Sequence, residues 1–117
     1  MPCAERALRL SPSDRFVGLY ASLGLALAHF ALGHYAESVA WSRLAIEKGP
    51  GHDGPRTILT ASLVLQGEIT AAMEARDALL QLRPEFSLVW MRENLPVSGE
   101  LAQRVYKALH EAGVPEE

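Results

Sequence analysis

The sequence predicts an all-α protein built as a helix-turn-helix solenoid of about six to seven helices. Two spacings carry this prediction, because Gly33 and Gly67 lie 34 residues apart and so do Pro50 and Pro84. Around both sets of anchors the chain reads as apolar helix, glycine turn, small-residue helix and terminal proline. A fixed period of this kind is typical of stacked helical hairpins, in which neighbours bury what one unit leaves exposed.

Composition and charge favour one small helical domain over residues 1–117 and exclude several function classes. Hydrophobic residues make up 49% of the chain and aromatic residues 7%, so we expect an aliphatic core. The net charge is −3 and no basic run occurs, which argues against nucleic-acid binding. We expect no signal peptide and no membrane span. The single cysteine, Cys3, suits a reducing cytoplasm.

Helix signals come in pairs along the first half. Residues 2–10 carry apolar side chains on one side and predict a short amphipathic helix. The segment 11–14 breaks it, and a long apolar helix is expected over 14–32. Gly33 ends that helix, because the left-handed residue after a helix costs least without a Cβ. A third helix is expected over Tyr35–Lys48.

The strongest break in the chain is the glycine- and proline-rich segment 49–55. It predicts Asp53 as the N-cap of the next helix, with Pro55 in the first turn. Two helices are expected beyond it, over 55–66 and 70–82, separated at the second glycine anchor.

Two shorter helices complete the predicted chain. The first covers roughly 85–94 and is stopped by Pro96. Ser98 caps the second, over 98–112, which Gly113 closes.

This pattern resembles the tetratricopeptide repeat family. The family places small residues where the two helices of a unit touch, which here are Ala26, Ser38 and Ala45 in one unit and Ala72 in the next. The resemblance implies a half repeat over 1–12, full repeats over 19–52 and 53–86, and a truncated third unit with a capping helix over 87–112. The chain departs from the family pattern with polar residues at several positions that are usually large and apolar, namely Ser22, His29, Ser42, Arg56 and Arg76.

A narrower resemblance rests on the phrases ALRLSPSDRF, LGLALAHFALGHYAESVAW and ALHEAGVPEE. They are similar to the C-terminal repeat region of bacterial adenylate-cyclase-like or winged-helix signalling regulators. This resemblance implies an alternative function, as the sensory or oligomerising part of such a signalling system.

The family resemblance also implies a binding groove, lined by the first helix of each unit. The groove residues are Tyr20, Leu23, Leu27, Phe30, Thr57, Ala61, Val64, Leu65 and Met91. They are almost all apolar, which favours an amphipathic helix of a protein partner as the ligand. The lysine and asparagine with which some family members clamp chaperone C-termini are missing. A second possibility stays open, that the chain's own last helix fills the groove. The predicted function is a non-catalytic protein-interaction module.

No catalytic residue, cofactor or metal site is expected from the sequence. The four histidines, His29, His34, His52 and His110, lie in four different segments and match no zinc-binding motif. Cys3 has no histidine or aspartate partner nearby, and the glycines of segment 49–54 lack the Lys-Ser/Thr pair of a phosphate loop.

The apolar helix over 14–32 is expected to keep an uncovered flank, because the half repeat before it lacks its first helix. A homodimer would cover that flank. The expected contacts are Phe16, Leu19, Tyr20 and Leu23.

Overall fold

The computed structural model describes residues 15–94 and 99–117, with side chains described from residue 18 onward. These residues form six α-helices and no strand: α1 (Arg15–Ala31), α2 (Tyr35–Lys48), α3 (Asp53–Leu65), α4 (Ile69–Leu82), α5 (Leu88–Asn94) and α6 (Gly99–Glu111). The all-α fold class is confirmed. The predicted helix over 2–10 and the predicted stop and cap at Pro96 and Ser98 lie outside the described residues. No helix of the described chain is long and apolar enough to cross a membrane.

Three glycines end helices as the sequence predicts. Gly33, Gly67 and Gly113 have φ of 81°, 88° and 91°, a conformation that side chains with a Cβ disfavour. The amide of the residue that follows each glycine donates a hydrogen bond to the carbonyl five residues before it. The distances at Gly33, Gly67 and Gly113 are 2.8, 2.9 and 3.1 Å. This Schellman pattern satisfies carbonyls that the helix end would otherwise leave unpaired.

The start of α3 differs from the prediction. The helix begins at Asp53 itself and His52 takes the N-cap position, without a side-chain capping bond. The predicted N-cap role of Asp53 is therefore wrong. Its carboxylate instead forms a salt bridge with Arg83 at the end of α4, an interaction that no local signal indicates.

The helix α5 begins three residues later than predicted. Ser87 precedes it, and its Oγ accepts a hydrogen bond from the Trp90 amide at 3.0 Å. This is the interaction of an N-cap serine, so a capping residue sets the start of α5. The residue before the cap, Phe86, is buried and packs near Trp90 with ring centroids 5.2 Å apart.

The predicted seam of small residues lies in the core. Ala26, Ser38, Ala45 and Ala72 all have zero exposed surface. Ser38 also joins three helices, because its Oγ donates to the Ala26 carbonyl of α1 at 2.8 Å and lies 2.9 Å from Ser62 Oγ of α3. Close approach of the backbones requires small side chains at these positions, as the sequence predicts.

Successive helices pack against one another, and the last helix then packs back against α3. Each of the first three helices packs on the next, and α1 also touches α3. The last helix, α6, comes back to pack against α3, and α5 contacts α6. The C-terminal segment then reaches α5, where the Leu88 and Val89 amides donate to the carbonyls of Pro115 and Glu116 at 2.9 and 3.0 Å.

Candidate functional site

Most of the predicted concave groove is covered within the chain. Five of its nine residues are buried: Phe30, Thr57, Ala61, Val64 and Met91. Leu23, Leu27 and Leu65 are partly buried, and Tyr20 keeps 60% of its surface exposed.

The covering element is α6, which packs against α3. Its residues Val105, Ala108 and Leu109 belong to the same buried cluster as Phe30 and Val64. The sequence left open whether the last helix fills the groove. In the structure α6 packs against α3, the helix that supplies Thr57, Ala61, Val64 and Leu65 to the predicted groove.

Two arginines hold α6 in place through backbone carbonyls at helix ends. Arg104 Nη1 donates to the carbonyls of Phe30 at 3.0 Å and Ala31 at 3.2 Å, at the C-terminus of α1. Arg76 Nη1 of α4 donates to the Ala112 carbonyl at 2.9 Å. A cation is favoured at such helix C-termini, because the final carbonyls there lack intrahelical partners. The middle of α6, through Arg104, and its C-terminal end, through Ala112, are therefore tied to other helices.

The residues predicted to form a dimer are not equally available. Leu19 is 3% exposed. A methyl group of Leu19 lies 2.9 Å from the position that a Cβ on Gly49 would take. It therefore offers almost no surface for a second copy. Tyr20 is exposed and Leu23 is partly buried, whereas the side chain of Phe16 is outside the described part.

An open cleft that the sequence did not reveal lies on the other side of α3, between α2 and α4. It encloses about 400 Å³. Its apolar lining comes from all three helices and consists of Ile46, Leu59, Leu63, Ala71, Ala75 and Ala78. The alanines of α4 keep this cleft open, because larger side chains at the same positions would fill it.

Charged side chains of both signs complete the cleft lining. They are Arg43 and Glu47 of α2, Arg56 of α3 and Glu74 of α4. Arg56 donates from Nη2 to the Pro50 carbonyl at 3.3 Å, while its Nε is buried and has no hydrogen-bond partner among the described residues. The cleft therefore offers an apolar strip and charges of opposite sign.

Arg83 is the centre of a cluster of charged and aromatic side chains at the end of α4. Arg83 pairs with Asp53 and Glu85, and its guanidinium lies 4.9 Å from the centre of the Trp90 ring. Hydrogen bonding to Glu85 raises the pKa of Arg83 above its ordinary value. A hydrogen bond from its own backbone amide lowers the pKa of Glu85, and Arg83 adds to that effect. These shifts stabilise the charged forms, which suits an ion pair joining α3 and α4 to the next loop.

The turn between α1 and α2 brings together three side chains that could ligate a metal. They are His29, His34 and Glu37, whose ligand atoms all lie within 4.8 Å of one another. The sequence places the two histidines in different helical segments and therefore predicts no metal site there. The signal that would have found them is their position on either side of the predicted glycine turn, which folds the two segments back on each other.

Comparison with known proteins identifies no relative. No family model, no curated protein and no solved structure matches the chain.

Proposed function

We propose that this chain is a non-catalytic, tetratricopeptide-like interaction module that binds an amphipathic helix of a protein partner. The single observation that carries the proposal is the open cleft between α2 and α4, with its apolar lining and mixed charges. The glycine turns 34 residues apart and the fully buried small-residue seam support the family resemblance. The lone cysteine supports a reducing compartment such as the cytoplasm.

The shape and chemistry of the cleft favour a helix as the ligand. Amphipathic helices dock by laying an apolar stripe into a groove between helices. The alanines of α4 permit close approach, and together with Ile46 they supply the partly exposed apolar surface of the cleft. Leu59 and Leu63 beneath them are almost fully buried, at 7% and 3% exposure. A partner side chain that covers the remaining apolar surface gains about 25 cal/mol for each Å² removed from water.

The charges predict the polar flank of the partner helix. Arg43 and Arg56 favour an acidic residue on the ligand, and Glu47 and Glu74 favour a basic one.

The test compares two single substitutions in α4, each of which introduces a glutamate. Ala75→Glu places a charge in the cleft, whereas Met73→Glu alters a neighbouring residue that is 43% exposed and does not line it. The wild-type chain and both variants are used as bait in extracts of the native host, after far-UV circular dichroism has shown that each is folded. We expect one partner to be retained by the wild type and by Met73→Glu, and lost with Ala75→Glu. Equal retention by both variants, or no specific partner, would contradict the proposal.

Ala75→Glu, together with a third variant, Tyr20→Glu, distinguishes a second copy of the chain from a different protein and the cleft from the concave face. If the purified wild type is a dimer that Ala75→Glu dissociates, the cleft binds another copy. If Tyr20→Glu alone abolishes partner binding, the ligand uses the open end of the concave face instead of the cleft.

A further inference from the structure

The three ligating side chains at the α1–α2 turn converge from separate helical positions. His29 lies in the last turn of α1, His34 is the N-cap residue of α2 and Glu37 lies in the first turn of α2. The two Nδ1 atoms are 3.4 Å apart. His29 is half-buried, whereas His34 and Glu37 are exposed, so the cluster is open to solvent on one side.

This distance matches the spacing of ligands around a tetrahedral ion. Zinc–nitrogen bonds of 2.0–2.1 Å at a tetrahedral angle place two nitrogen ligands about 3.3–3.4 Å apart. Two histidines and one carboxylate are also the protein ligands of open zinc sites, in which water takes the fourth position. We propose that His29, His34 and Glu37 bind one divalent transition-metal ion, with Zn²⁺ as the best fit.

Backbone hydrogen bonds of the turn hold the two histidines close together before any ion binds. The His34 amide donates to the His29 carbonyl at 2.8 Å, and the amide of Gly33 donates to the Phe30 carbonyl at 3.1 Å. Tyr35 packs edge-on against Phe30, with ring centroids 5.5 Å apart. A fixed turn lowers the ordering cost of binding, because the ligands need little rearrangement.

The second hairpin of the chain has the same turn without the ligands. At the 34-residue offset, Leu63, Glu68 and Ala71 stand where His29, His34 and Glu37 stand in the first. The turn at Gly67 has the same hydrogen-bond pattern, with the Glu68 amide donating to the Leu63 carbonyl at 2.9 Å. The histidine pair is therefore not needed to form the turn. The second hairpin also supplies replacements that this backbone already accommodates.

An N–H···N hydrogen bond between neutral imidazoles accounts for the same 3.4 Å distance. The two interpretations differ in what they predict for added metal. A hydrogen-bonded pair takes up no ion, whereas a metal site binds one per chain and raises the thermal midpoint, because the ion binds the folded state.

The experiment titrates Zn²⁺ into the full-length, tag-free protein against a chromophoric chelator, and repeats the titration in a Cys3→Ser background to remove a thiol ligand. The test variants are His29→Leu and Glu37→Ala, which copy the second hairpin, and His34→Ala. The matched control is His110→Ala, since His110 is an exposed histidine near the end of another helix, α6. Co²⁺ spectra then report the coordination geometry.

We expect one ion per chain, with tetrahedral Co²⁺ spectra, in the wild type and in Cys3→Ser and His110→Ala. Each ligand variant should lose roughly tenfold or more in affinity, because even residues that only orient metal ligands cost that much when changed. The Zn²⁺-dependent rise in the midpoint should also disappear in the two histidine variants. No saturable binding, a loss in Cys3→Ser or His110→Ala equal to that in His29→Leu, or half an ion per chain would overturn the proposal.

Discussion

Two buried serines of α2 allow the energetic role of the small-residue seam to be measured. Ser38 and Ser42 lie one helical turn apart and both have zero exposed surface. Ser38 Oγ bonds the Ala26 carbonyl and Ser62 Oγ, whereas Ser42 Oγ has no hydrogen-bond partner in the described parts of the chain. Replacement by alanine removes the Oγ atom at both sites. The gain in helix propensity is the same for both variants, so it cancels when their stabilities are compared.

The expected effects have opposite signs. Ser38→Ala removes two hydrogen bonds of about 0.5–1.5 kcal/mol net each, so it should lower the free energy of unfolding by about 1–3 kcal/mol. Ser42→Ala removes a buried hydroxyl without a partner, so it should be neutral or stabilising by up to about 1 kcal/mol. The two variants should therefore differ by about 2 kcal/mol. For a domain of this size that is a difference of roughly 8–10 °C in the thermal midpoint.

Urea unfolding followed by far-UV circular dichroism measures this difference, and a double-mutant cycle assigns it. Ser62→Ala should destabilise the wild type but have a smaller effect in the Ser38→Ala background, because its partner hydroxyl is already gone. A coupling energy of at least about 0.5 kcal/mol is expected for such a contact. Equal midpoints for Ser38→Ala and Ser42→Ala, or no coupling to Ser62, would refute this account of the seam.

Three further predictions concern the seam, the last helix and self-association. Ala45→Leu should overpack the fully buried seam and lower the free energy of unfolding by about 1–3 kcal/mol. Glu74→Ala, at an exposed position, should change it by no more than roughly 0.5 kcal/mol in either direction. Equal thermal midpoints for the two variants would contradict the repeat register. Arg104→Ala should lower the free energy of unfolding by about 1.5–3 kcal/mol, because a charged donor to two carbonyls of α1 is lost. Lys107→Ala, on the exposed side of α6, is the control in the same unfolding assay. Light scattering at tens of micromolar should show a dimer that Tyr20→Glu weakens, and a mass that stays at 12.8 kDa on concentration would exclude the dimer.

The sequence by itself determined the helical content, most helix boundaries and the residues of the seam. These features depend on short-range physics. Helical periodicity sets which side of a segment is apolar, and a glycine such as Gly33 can adopt the positive φ that ends a helix. The predicted α2 matches the observed Tyr35–Lys48 for the same reason, since a glycine lies close to each end. Ala26 and Ala45 were identifiable as contact residues through the resemblance to the tetratricopeptide repeat, which places small residues at these positions.

Only the tertiary structure decided which surfaces stay open. The return of α6 onto α3, and the pairing of Asp53 with Arg83 thirty residues later, join segments that carry no mutual local signal. The cleft between α2 and α4 exists because both helices pack on α3, and its shape depends on their relative placement. The approach of His29 to His34 depends on how the chain folds back at the turn. Such features arise from long-range packing, in which a small rotation of one helix changes what is buried, and residue spacing alone does not specify that rotation.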